Sequence, residues 1–208
     1  MVKLAEPRRL PAPSVTWSGT TRASLSNQEV WPKTEQDIKL RVGVGGSPES
    51  VVRAARLGVP MALAIIGGDP ARFAPFADLY RDALDQLHKP QLPISIHSPG
   101  HIAETDEQAI EDQWPHYQEM YGRLGRERGW GPTTKGHYLQ EVEHGSLYVG
   151  SSETVARKIV HAITSVGAER FDLKYATGPM QHSKLLRSIE LYGTQVIPRV
   201  RELLAEQA

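Results

Sequence analysis

The chain is 208 residues long, 39% hydrophobic and 23% charged, with 24 basic residues balanced by 24 acidic ones. This is an ordinary globular composition with room for one sizeable core or two small ones; its zero formal net charge argues against a nucleic-acid or anionic-membrane partner, and the absence of cysteine excludes disulfides, thiolate zinc sites and cysteine nucleophiles. No run is long enough to span a bilayer, and the opening "MVKLAEPRRLPAPS" lacks the apolar core of a secretory signal, so a cytoplasmic protein is expected.

Residues 1–38 carry few periodic apolar positions and are expected to be an irregular N-terminal segment. From there the pattern changes. "LRVGVG" (40–45) reads as a short buried strand. Ser47 can cap the helix that follows, Pro48 suits its first position, and Gly58 is a natural stop. "PMALAII" (60–66) is a continuous apolar run, as in a parallel strand covered on both faces. "GGDPARF" then repeats the device, with Asp69 as cap and Pro70 after it. The next helix runs to about His88, with Phe73, Phe76, Ala77, Tyr80 and Leu84 along one stripe. "LPISIH" (92–97) is a third strand, and Thr105 with Gln108 has the spacing of a capping box. Residues 114–147 break the rhythm. They hold Trp114, Tyr117, Tyr121, Trp130 and Tyr138 and read as an aromatic-rich insertion, for which packing is the more economical role. "SSETVARKIVHAITSVG" returns to helix, with Val155, Ile159, Ile163 and Val166 on one face. "RFDLKY" (170–175) is the fourth strand, and the C-terminal stretch supplies terminal helix. Strands alternating with helices imply a parallel sheet with right-handed crossovers, here about four β-α units over residues 39–208. Four units are half of an eight-stranded (β/α)8 barrel.

"VTWSG" (15–19), "VGVGGSPESVVRAARLG" (42–58), "ALAIIGGDPARFAPF" (62–76), "LYVGSSETVARKI" (147–159), "RFDLKY" (170–175) and "RSIELYGTQVIPRVREL" (187–203) together resemble the luciferase-like flavin-dependent monooxygenases. The resemblance implies a TIM barrel, FMN or alternatively a deazaflavin coenzyme, and a small organic substrate. It covers the C-terminal portion of such an enzyme; the first four barrel strands have no counterpart. A half barrel exposes two sheet edges, so a homo-oligomer or a partner chain that completes the barrel is expected. Three functional readings stay open: a flavin-dependent oxidoreductase, a non-catalytic flavin-binding relative, and an incomplete subunit.

The residues themselves allow two readings of Gly45, Gly46, Ser47 and Ser50. They start a helix, or they cradle a phosphate, because glycines admit close approach of backbone N–H groups and a helix N-terminus favours an anion. The resemblance favours the cradle, since the family holds its flavin phosphate in the equivalent loop. Gly67 and Gly68 also allow two readings: a turn and cap, which is the plainer one, or a wall of the flavin pocket, where only glycine allows ring contact. His97 ends the third strand beside Ser98 and is a candidate pocket residue. His97 and His101 are separated by Pro99 and Gly100, which breaks helical ligand spacing, so no metal site is expected. Lys174 and Tyr175 end the fourth strand, where a lysine can face an anionic group at the pocket mouth or simply reach water. No Ser-His-Asp set stands out, which suits chemistry carried by a cofactor.

Overall fold

In the computed structural model, residues 14–29, 31, 39–129 and 131–207 are described. The chain divides into two units, residues 1–41 and 42–208. In the first, β1 (Val15–Trp17) pairs antiparallel with β2 (Leu25–Gln28), with an irregularity between Val15 and Trp17. The Asn27 N–H donates to Thr16 Oγ1 at 3.1 Å. This hairpin lies inside the stretch expected to be irregular; residues 1–13, 30 and 32–38 of that stretch, and Trp130 of the aromatic insertion, lie outside the described residues.

The second unit runs β3 (Val42–Val44), α1 (Pro48–Leu57), β4 (Met61–Ala64), a short 3-10 turn (Pro70–Phe73) and α2 (Ala74–Gln86). There follow β5 (Ile94–Ile102), α3 (Asp106–Arg128), α4 (Lys135–Glu143), β6 (Tyr148–Gly150) and α5 (Ser152–Val166). The unit ends with β7 (Arg170–Lys174), α6 (His182–Leu191), a π turn (Tyr192–Val196) and α7 (Ile197–Ala205). β3, β4 and β5 pair in sequence, β7 joins the early part of β5, and β6 joins its last three residues; all these pairings are parallel. The four expected strands are thus β3, β4, the first part of β5, and β7. Among the described residues β3 pairs with β4 alone and β7 with β5 alone, so the sheet stays open and does not close into a barrel.

Alternation along the strands divides the sheet into two faces. Val44, Leu63 and Ile96 stand in register and are fully buried, with Phe171 beside them. They pack with Val51, Ala54 and Ala55 of α1, with Tyr80 and Leu84 of α2, and with the apolar stripe of α5. The Tyr80 hydroxyl donates to the Val59 carbonyl at 2.7 Å, so the largest side chain of α2 enters the core with its polar end satisfied. The other face carries small and polar residues: Gly43, Ala62, Ser95 and Arg170 in one row, then Ala64, His97 and Asp172 in the next.

Two features depart from expectation. α3 runs through Trp114 and Pro115 to Arg128, so the first half of the presumed insertion continues the preceding helix. β6 is an additional strand, and it pairs with a β5 that continues past His97 through Pro99 and Gly100. A Cβ at Gly100 would sit 2.3 Å from the Tyr148 carbonyl and 2.6 Å from Leu173 Cδ1, so only glycine lets β6 and β7 both approach there. The aromatic residues form a second core between α3, α4 and β6. Tyr117 stacks on Tyr121 with ring centres 4.1 Å apart, Trp114 tilts against Tyr138 at 5.1 Å, and the Tyr138 hydroxyl donates to Gln113 Oε1 at 3.1 Å. Their role here is packing.

Candidate functional site

Because β3, β4, β5 and β7 are parallel neighbours, the turns at their C-terminal ends gather along one edge of the sheet. β3 leads into Gly45, Gly46 and Ser47. Ser47 caps α1 as expected: its Oγ accepts the Ser50 N–H at 3.4 Å, with Pro48 next in the first turn. Its hydroxyl also donates to Glu49 Oε2 at 2.6 Å, which holds that carboxyl below the usual range. Ser50 Oγ accepts from Arg53 at 2.7 Å. Space is open where a Cβ would stand at Gly45, with no heavy atom within 4 Å. Gly46 has φ +109°, a backbone that side-chain-bearing residues avoid, with the Phe76 ring the nearest neighbour at 3.9 Å. The turn therefore combines an open glycine, two hydroxyls at a helix start and an arginine one turn on. Arg53 went unnoticed in the sequence; its i+3 spacing from Ser50 was the available signal.

β4 leads into Ile66, Gly67 and Gly68. Gly67 also faces open space, and Gly68 has φ +76°. The Gly68 N–H donates to the Glu141 carboxylate at 3.0 and 3.1 Å, and Asp69 caps the turn by accepting the Ala71 N–H at 2.9 Å. Ile66 is 57% exposed and Tyr175 42% exposed, so two large apolar side chains stand in solvent just beyond the ends of β4 and β7. Ile66 was not singled out from sequence, because an apolar residue closing an apolar run reads as core.

His97 does not end its strand, since β5 continues to Ile102. It is half-buried on the small, polar face, level with Ala64 and Asp172. Asp172 accepts from Arg170 at 2.7 and 2.6 Å. Ser98 turns the other way: it is fully buried and its hydroxyl donates to the Ile65 carbonyl at 2.7 Å. Ser98 is spent on holding β5 against the end of β4 and is not a pocket group. Lys174 closes β7, exposed and in register with Pro99, and Tyr175 follows it. His101 lies elsewhere. It is buried at 1% exposure with neither ring nitrogen hydrogen-bonded, 3.7 Å from Asp112, which pairs in turn with Lys184 at 2.5 Å. Gly45 to Ser50, Gly67 and Gly68, Lys174 and Tyr175 thus share one edge, and His97 sits one layer below it.

A family profile described as luciferase-like monooxygenase matches residues 7–170. Among solved structures, the monooxygenase RslO1 from Streptomyces bottropensis aligns at TM-score 0.66 and 21% identity over 89% of this chain and 55% of that one. The oxygenating constituent of 3,6-diketocamphane monooxygenase from Pseudomonas putida, in complex with FMN, aligns at 0.61 and 16% over 85% and 52%. The coenzyme F420 dependent tetrahydromethanopterin reductase from Methanopyrus kandleri aligns at 0.58 and 15% over 89% and 58%. This chain therefore spans little more than half the length of these three structures, and the likeness is one of fold. No curated protein matches. Among the described residues, no helix is long and apolar enough to cross a membrane.

Proposed function

We propose, since the chain belongs to the luciferase-like monooxygenase family, that it supplies the phosphate-holding half of a flavin-dependent oxidoreductase that acts on a small organic molecule. The observation that carries this reading is the turn from Gly45 to Ser50 at the end of β3. Open space at Gly45 admits a phosphate oxygen close to the backbone. The Ser47 and Ser50 hydroxyls can donate to it, the start of α1 favours its charge, and Arg53 beside Ser50 adds a cation. An incoming phosphate would take the place that Glu49 holds at the Ser47 hydroxyl.

In the same reading Gly67 and Gly68 wall the isoalloxazine side, where the lack of side chains admits a flat ring, and Ile66 and Tyr175 offer it apolar contact. His97 and Lys174 face the substrate side. FMN, when bound, supplies the redox chemistry; the chain's residues bind, orient and shield it. The deazaflavin alternative rests on the likeness to the coenzyme F420 dependent reductase. A cytoplasmic setting belongs to this reading as well.

A second reading is favoured by the open edges of β3 and β7: a flavin-binding relative or subunit whose sheet is completed by a second copy or another chain. FMN titration with turnover assays separates the two. Saturable binding with substrate oxidation supports the enzyme. Binding without turnover, or binding that appears with an added partner chain, supports the second.

A further inference from the structure

Glu141, near the end of α4, makes a contact that neither the capping motifs nor the family resemblance accounts for. Its side chain reaches back 73 positions to the glycine turn after β4 and accepts the Gly68 N–H with both oxygens, at 3.0 and 3.1 Å. One of those oxygens also accepts the Ser146 N–H at 3.1 Å. Gly145 is bare at this point of necessity, because a Cβ there would stand 2.1 Å from the Glu141 carboxylate. The same end of α4 is held from the other side by Lys158 of α5, whose ammonium donates to the Glu141, Val142 and Leu147 carbonyls. Burial pushes that ammonium down to about 8, while Glu141 pulls it back toward its ordinary value. A cavity of about 400 Å³ lies alongside, walled by Asp69 and Pro70 of the glycine turn on one side and by Glu143, His144 and Gly145 on the other. Glu141 is the tie between those walls.

The turn needs such a tie. Two adjacent glycines have more backbone freedom to lose than any other pair, and Gly68 sits at φ +76°. A carboxylate accepting two backbone N–H groups is a charge-assisted anchor. We propose that Glu141 is a positioning residue. It fixes the Gly67–Gly68 turn and couples it to the α4–β6 segment, so that loosening the segment releases the turn and weakens flavin retention. The flavin part of this inference rests on the pocket-wall reading given above.

The test is amide hydrogen exchange and FMN titration on Glu141→Ala and Glu141→Gln. In Glu141→Ala, exchange at Gly68 and Ser146 rises by about tenfold or more, the scale of losing a hydrogen bond to a charged group, while amides of α1 are unchanged, and FMN affinity falls by a comparable factor. Glu141→Gln falls between wild type and Glu141→Ala, because its amide oxygen still accepts N–H groups but without the charge and without the second acceptor oxygen; it carries the same test if Glu141→Ala fails to fold. Unchanged exchange at Gly68 overturns the inference. So does faster exchange with unchanged FMN affinity. A wild-type chain that binds no FMN either alone or with a completing partner chain overturns the pocket-wall reading and with it the flavin coupling, and the Gly68 and Ser146 exchange then decides the anchoring role by itself.

Discussion

Asp106 grips the start of α5 from the start of α3: its Oδ1 accepts the Ser151 N–H at 2.6 Å and its Oδ2 accepts the Thr154 hydroxyl at 2.9 Å. Ser151 is itself the cap of α5. Between them Gly150 holds φ +155°, and a Cβ there would come within 2.7 Å of Asp106 Oδ1. One carboxylate thus joins the two helices that leave β5 and β6. Burial works against its charge, but the hydrogen bonds from Ser151 and Thr154 outweigh that and hold it below the usual range.

Asp106→Ala is therefore expected to destabilise the fold by about 1–3 kcal/mol at neutral pH, the scale of losing hydrogen bonds to a charged group. The effect has a pH signature. A carboxyl whose folded pKa is depressed contributes stability above its unfolded pKa and loses it as pH falls through the folded value. The gap between wild type and Asp106→Ala in denaturant unfolding should be full at pH 6 and narrow below about pH 4. A gap independent of pH would remove the charge from the account.

His101 gives the same direction of pH dependence for a different reason, since here the fold favours the neutral form. Burial lowers its pKa; Asp112 opposes this, and Lys184 and His116 add to it. The folded chain then binds that proton less readily than the unfolded chain, so stability is full above about pH 6.5 and falls as pH drops below it. Replacing His101 with Met, of similar bulk and without a titrating group, should flatten the melting temperature between pH 7 and pH 5. A wild-type melting temperature that rises on acidification through this range would contradict the assignment.

The local parts of this structure were legible in the sequence, and the distant parts were not. Ser47, Pro48 and Gly58 announce α1 because capping chemistry is complete within a few residues. The continuous apolar run ending at Ile66 gives β4 for a similar reason. β6 was hidden because three residues, Tyr148 to Gly150, run directly into a helix cap and have no alternation to show. The extension of β5 was hidden by Pro99 and Gly100, which signal a turn unless the carbonyl of Tyr148 is known to press against Gly100. At the candidate site, the glycines and serines were readable as a strand-to-helix turn. The Glu141 contact to Gly68 was not, because no local pattern encodes a partner 73 positions away.

The open strands bear on assembly. β3 and β7 each have one strand partner among the described residues, and over β3 and β4 the small and polar face carries Gly43, Ala62 and Ala64. Unpaired parallel edges of this kind invite further strands. In sedimentation velocity the purified chain is expected to run as a species larger than the monomer. A single monomeric boundary with one cooperative unfolding transition would mean that the edges are covered from within the chain.

The central claim is that the Gly45–Ser50 turn holds the phosphate of a flavin, and FMN titration of wild type beside Ser47→Asp tests it most directly. Asp caps a helix about as well as Ser, so α1 and the fold should survive the substitution. The new carboxylate would stand where the phosphate must sit, close to the one Glu49 already provides. With the chain alone, or with a completing partner present, quenching of flavin fluorescence should saturate for wild type. The Ser47→Asp protein, with unchanged circular dichroism, should bind at least about tenfold more weakly, the difference that about 1.4 kcal/mol makes. Equal affinity of the two proteins for FMN would show that the two glycines and the serine do no more than start a helix.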